Sequence, residues 1–216
     1  MIDGLFVVLE GVDGAGTTTH TRLLAKALEG QGLPVHTTRE PSDGPVGVLL
    51  RQILTGRVVV PGVQGPRAPS WDTMALLFAA DRLDHVESEI LPNIGDGVTV
   101  ISDRYDYSSI AYQSLSASDP DDARPWVTSI NANARRPDLV IVLDVTPEVA
   151  AARRSSRSGP AELYEGAELQ AKLVRFYQEI EQYFPEDRVV HVDATRGIDA
   201  VAADILAAVR NHRGDK

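Results

Sequence analysis

The 216-residue chain contains no cysteine, so neither a disulfide framework nor thiol chemistry is open to it. Lysine is nearly missing too. Lys26, Lys172 and Lys216 are the only three, which leaves cationic chemistry largely to arginine. Positive charge is in deficit overall, with 21 Lys and Arg against 31 Asp and Glu and a formal charge of -10. Such a balance argues against a nucleic-acid polymer as partner, although a small site can still gather arginines around an anion. No apolar run reaches the roughly 20 residues that span a bilayer. The amino terminus, MIDGLFVVLEG, lacks the basic stretch of a secretory signal. The expectation is a cytoplasmic protein with no membrane association. No internal repeat and no long linker divides the chain, so residues 1–216 read as one domain. The hydrophobic content of 43% and charged content of 24% are those of an ordinary globular core and surface.

Short aliphatic runs alternate with helical patterns. Leu5–Leu9, Val35–Thr38, Val98–Ser102, Leu139–Val145 and Val189–Val192 read as strands. Between them, Thr18–Leu28, Val46–Leu54, Trp71–Leu91, Ser108–Leu115, Ala123–Ala134, Ala167–Tyr183 and Ile198–Arg210 read as helices. Residues 55–70, rich in glycine and proline, read as a surface excursion. The alternation predicts an α/β fold of three layers, with a mostly parallel sheet and ligands at the carboxyl ends of the strands.

The first strand leads into EGVDGAGTTTH, where Gly11 and Gly16 have the GxxxxG spacing of a phosphate loop between a strand and a helix. Gly14 and Gly16 free backbone amides to face phosphate oxygens, and the helix start favours the same charge. Thr18 holds the hydroxyl position that reaches magnesium. The lysine position holds Thr17. A tight strand-to-helix turn without nucleotide is the plainer alternative for this segment alone. The third strand ends in ISDRYDYSSIAYQ, which puts Asp103 and Arg104 at the mouth of the expected site. Asp103 can hold magnesium-bound water and Arg104 can grip a phosphate, or the two can form a local ion pair.

FVVLEGVDGAG, HTTREP, ALLFAADRLDH, DRYDYSSIAYQ, RPDLVIVLDV and ELYE follow one another in an order that resembles the thymidylate kinase family over nearly the whole chain. The resemblance implies a P-loop fold of the nucleoside monophosphate kinase type. It implies ATP as donor, dTMP as acceptor, Mg2+ as metal and a homodimer. In that pattern Gly11, Asp13, Gly14, Ala15, Gly16, Thr17, Thr18 and Thr19 would cradle ATP, with Thr18 and Asp103 at the metal. Arg39 and Arg104 would hold the acceptor phosphate, with Asp103 beside the reacting groups. Phe78 would stack on thymine, and Arg82, one helical turn on, would meet the pyrimidine edge. Ser109 would stand at the base edge, Asp13 near the sugar 3'-hydroxyl, and Tyr112 against C2'. From residue type alone, Phe78 and Tyr112 would read as core residues and Arg82 as a solvated charge.

After the LVIVLDV strand, RRSSRSGP and ELYE resemble the family's lid, near 153–165. The resemblance implies Arg153 and Arg157 as donors to phosphate oxygens, with Arg154 a third candidate, and Glu162 and Glu165 either as their orienting partners or as charges that keep the lid soluble. VDATRG resembles the loop beside adenine, with Thr195 and Arg196 as contacts or as ordinary turn residues. The missing lysine leaves the source of the compensating charge open between Arg153, Arg157 and the 55–70 segment. It also leaves open a non-catalytic relative, and a kinase for another pyrimidine monophosphate remains a further alternative.

Overall fold

A computed structural model describes residues 4–155, 163–164 and 166–214. Five strands, β1 (Phe6–Glu10), β2 (Val35–Arg39), β3 (Thr99–Asp103), β4 (Leu139–Asp144) and β5 (Val189–Asp193), pair in parallel in the order β2-β3-β1-β4-β5. The three inner strands are almost wholly buried, β1 and β4 mainly apolar and β3 mixed, whereas edge strands β2 and β5 are only partly covered. That is the pattern of a sheet sheltered on both faces. Truncating an inner side chain such as Leu9, which is fully buried, should cost about 2–5 kcal/mol.

The covering helices are α1 (Thr17–Glu29), α2 (Pro45–Leu54), α3 (Trp71–His85), α4 (Leu91–Gly95), α5 (Asp106–Leu115), α6 (Pro120–Ile130), α7 (Pro147–Ser155), α8 (Ala167–Gln178) and α9 (Ile198–Arg213). In α1 the buried residues Thr17, His20, Thr21, Leu24, Ala25 and Leu28 repeat at helical spacing and form the face turned inward. Among the described residues no helix is long and apolar enough to cross a membrane.

Several boundaries differ from those read in the sequence. The helix expected over Trp71–Leu91 passes at Val86–Ile90 into one π-helical turn and then α4. Val86, Ile90 and Ile94 are all buried at a spacing of four. Residues four apart share a helix face, and with the π-turn in place all three lie on the covered side. α6 starts at Pro120, ahead of the expected Ala123, because the Asp119 carboxylate caps it by accepting from the Asp121 and Asp122 amides at 3.1 and 3.2 Å. It stops at Ile130, where the Asn131 side chain donates back to the Val127 carbonyl. Within residues 55–70 the backbones of Val60 and Arg67 make an isolated antiparallel bridge.

Candidate active site

Register brings the site together. Leu9 on β1 and Arg39 on β2 both stand level with Asp103 on β3, so three strands end at one height beside the phosphate loop. β1 lies between β3 and β4, where successive connections diverge, and this is the crevice in which open α/β sheets bind ligands.

The loop from Gly11 to Gly16 is fitted closely to its surroundings. Gly14 has φ 93°, and a Cβ there would lie 2.6 Å from the Ala150 carbonyl oxygen. Any side chain would therefore push α7 off the loop. Ala15 is fully buried, and its amide donates to the Val12 carbonyl at 2.9 Å. Gly16 precedes α1, whose first amides meet no capping side chain. Thr17 is buried at 6% exposure, while Thr18 and Thr19 are exposed. The Thr18 hydroxyl donates to Asp103 Oδ2, and Asp103 Oδ1 is buried without a hydrogen-bond partner among the described residues. One hydroxyl and one carboxylate with an oxygen to spare are hard oxygen donors, a set that suits Mg2+ completed by phosphates and water.

Arg104 has φ 74°, an uncommon conformation for a side-chain-bearing residue. Its amide donates to the Leu9 carbonyl at 3.0 Å, and its carbonyl accepts from Ser102 Oγ at 2.7 Å. The guanidinium donates to the Gly11 carbonyl at 2.8 Å, Ser108 Oγ at 3.0 Å and Asp13 Oδ1 at 2.5 Å, and lies 5.6 Å from the Tyr112 ring centre. A strained backbone held by this many bonds is a common device for aiming a functional side chain.

A cavity of about 220 Å³ opens from here. Asp13, Arg39, Phe78, Arg82, Arg104, Ser109 and Tyr112, all expected at the acceptor, line it together. Phe78 is half-buried against Leu50, Ile53 and Met74. Arg82, four residues on and 1% exposed, donates to Asn131 Oδ1, Glu40 Oε2 and Ser109 Oγ. Arg39 is 58% exposed and paired with Asp43 at 2.8 Å, at the rim.

Several residues of the site had been given no role from the sequence. Glu40, buried beside Arg39, neutralises Arg82 and stands 3.3 Å from His85 Nδ1. Gln113 shares a helix face with Ser109 and lines the cavity with a buried Oε1 that has no partner among the described residues. Its signal was a polar residue four positions after Ser109. Tyr164 closes the cavity edge-on against Tyr112, ring centres 5.5 Å apart. Glu10 is wholly buried at the end of β1. It accepts from the Tyr105 amide at 2.8 Å, Ser108 Oγ at 2.7 Å and Tyr177 OH at 3.0 Å. Burial pushes its carboxyl up to about 7, against the opposing pull of Arg104 and these donors.

On the other side of the loop, Arg153 donates to the carbonyls of Gly14, Ala15 and Ala194 at 3.4, 3.3 and 2.8 Å. Arg154 donates to the Asp13 carbonyl at 2.7 Å and to Gln170 Oε1 at 3.1 Å. Thr195 closes a turn on Asp193 Oδ1, and Arg196 is exposed, engaged by Asp193 and Asp204. Arg157, Glu162 and Glu165 lie outside the described residues.

Fold and site define a P-loop α/β protein built like a nucleoside monophosphate kinase. A family model described as thymidylate kinase matches residues 9–205. A probable thymidylate kinase of Pyrococcus horikoshii is 40% identical over 208 residues, covering 96% of this chain and 97% of that protein. A probable thymidylate kinase of Thermococcus gammatolerans is 40% identical over 95% and 96% of the two chains. A thymidylate kinase of Ruegeria pomeroyi is 37% identical over 97% and 96%. The chain belongs to the thymidylate kinase family.

Proposed function

We propose that the protein transfers the γ-phosphoryl group of ATP to dTMP in the cytoplasm, giving ADP and dTDP. The observation that carries this reading is the continuous cavity. It runs from Phe78 and Arg82, suited to a flat base with polar edges, to Asp103 and Arg104 at the phosphate loop. Gln113 Oε1 can accept the pyrimidine N3–H, which would satisfy its empty valence. Tyr112 stands against the sugar and disfavours a ribose hydroxyl. Asp13 would meet the 3'-hydroxyl while holding Arg104.

A phosphate oxygen of dTMP attacks the γ-phosphorus in line, and the bond to the β-phosphate oxygen breaks to release ADP. The acceptor phosphate is largely ionised near neutral pH, so no strong base is needed. Arg39 and Arg104 offset the repulsion between the two anionic substrates. Gly11, Gly14, Ala15, Gly16, Thr17, Thr18 and Thr19 supply the cradle for ATP phosphates. Thr18 and Asp103 would hold Mg2+, which supplies charge neutralisation on the donor phosphates. Arg153 and Arg157 act from the lid on donor oxygens, and Arg196 stands on the adenine side. A second copy of the chain packs on α2 and α3, where Val48, Leu49, Leu76 and Leu83 are 46%, 40%, 53% and 40% exposed.

The test is product analysis with ATP, dTMP and Mg2+, alongside dUMP, UMP and CMP. Formation of dTDP with dTMP preferred supports the reading. Binding of both nucleotides without dTDP would mark a non-catalytic relative that lost transfer with the loop lysine, and faster turnover of another monophosphate would reassign the acceptor.

A further inference from the structure

The geometry points to Arg154 as the residue that supplies the positive charge missing at Thr17. This inference rests on the phosphotransferase reading and names one residue within it. In a phosphate loop of this spacing the lysine after the last glycine brings an ammonium to the transferring phosphate. Here that position is a buried, uncharged threonine. Lys26 lies nine residues further down α1, and Lys172 is paired with Glu168 on the surface of α8.

α7 makes the replacement possible. Its Ala150 carbonyl sits directly on Gly14, at the distance that forbids a side chain there. Residues 153 and 154 follow one turn later on the same face, so both arginines are carried to the loop. Successive helical residues point about 100° apart, and the two side chains diverge accordingly. Arg153 bridges the loop to the Ala194 carbonyl on the β5–α9 turn. Arg154 goes the other way, to the carbonyl of Asp13, the residue whose carboxylate holds Arg104. Its guanidinium therefore stands where the donor and acceptor halves meet.

Gln170 keeps it there. This buried side chain accepts from Arg154 through Oε1 and donates through Nε2 to the Tyr164 carbonyl at 2.9 Å. Tyr164 is a wall of the acceptor cavity. Gln170 thus acts as a positioning residue that ties the substitute cation to that wall.

The experiment is a double-mutant cycle of Arg154→Ala and Thr17→Lys, read as kcat for dTDP formation and, independently, as ATP affinity by calorimetry without dTMP. Arg154→Ala should lower kcat by roughly a hundredfold and weaken ATP at least tenfold, with the dTMP KM little changed. Thr17→Lys should restore most of both losses in the Arg154→Ala background, and its gain there should exceed its effect in the native chain. Gln170→Leu should lower kcat in the same direction, and adding Arg154→Ala to it should cost less than in the native chain. Native-like kcat and ATP affinity in Arg154→Ala would overturn the assignment. So would a Thr17→Lys gain of equal size in both backgrounds. Should Thr17→Lys fail to fold, Arg154→Ala compared with Arg153→Ala still decides, because the inference requires the larger kcat loss at Arg154. If the native chain makes no dTDP at all, the kinase reading fails, while the ATP titrations still show whether Arg154 serves the loop.

Discussion

The two halves of the site are built differently. On the acceptor side two of the three candidate cations are already paired and fixed inside the protein, while Arg39 lies at the rim. Arg82 is buried on Glu40, Asn131 and Ser109, and Arg104 is bonded to Gly11, Asp13 and Ser108. On the donor side the described arginines rest mainly on main-chain carbonyls at the base of the lid, Thr18 and Thr19 are exposed, and Arg196 lies on an open turn. On the proposed reading, the difference teaches that the groups for dTMP are set during folding, so the acceptor would need little rearrangement to bind. On the same reading, charge on ATP would be met by groups that exchange a carbonyl for a phosphate, so the donor side would gain its strength on closure.

The widest separation between the halves should come from Arg104→Ala. Removing a charged donor from this enclosed site should cost about 3 kcal/mol, roughly a hundredfold in kcat/KM, while ATP affinity measured alone stays near native. Equal losses in both would erase the distinction. Arg39→Ala should follow the same direction with a smaller loss, because its exposed side chain is screened by water. Phe78→Ala comes next and should raise the dTMP KM several-fold more than the ATP KM, since about 1–3 kcal/mol of stacking is lost at one substrate only. Matching changes in the two constants would remove Phe78 from the base pocket.

A further test uses Glu10, which stands at the joint between the halves. Its carboxyl titrates near 7 in the folded chain and near its ordinary value of 4.5 when unfolded, so the folded state binds more protons between those values. Stability should therefore fall as pH rises from about 4.5 through about 7, by up to about 3 kcal/mol from this group. Denaturant unfolding at pH 5 and pH 8 should show a smaller fall in Glu10→Gln than in the native chain. Identical slopes would mean that the carboxyl is not held in this way. The smallest effect is expected at Arg196, whose contacts to Asp193 and Asp204 are exposed. Arg196→Ala should change the ATP KM by less than about threefold, and a larger change would give the donor side a fixed anchor that the comparison denies it.

Much of the acceptor half was legible because its chemistry lies at strand ends and helix faces. Asp103 and Arg104 follow an aliphatic strand, and Phe78 and Arg82 share one turn of α3. The buried polar residues around the site were not legible. Glu40, Gln113, Asn131 and Gln170 are polar residues whose burial depends on which helix covers them, and no local pattern marks that. The π-turn at Val86–Ile90 was hidden as well, since buried residues at Val86, Ile90 and Ile94 recur every four positions as they would in a straight helix. The lid arginines read as a basic stretch. Only the contact of Ala150 on Gly14 shows why two of them divide between Ala194 and Asp13.

The most direct measurement of the central claim is the rate of dTDP and ADP formation by the native chain with ATP, dTMP and Mg2+. The account predicts equal amounts of the two products and a preference for dTMP over dUMP, UMP and CMP, despite threonine at position 17. A well-folded chain that binds ATP and dTMP yet forms no dTDP would contradict it.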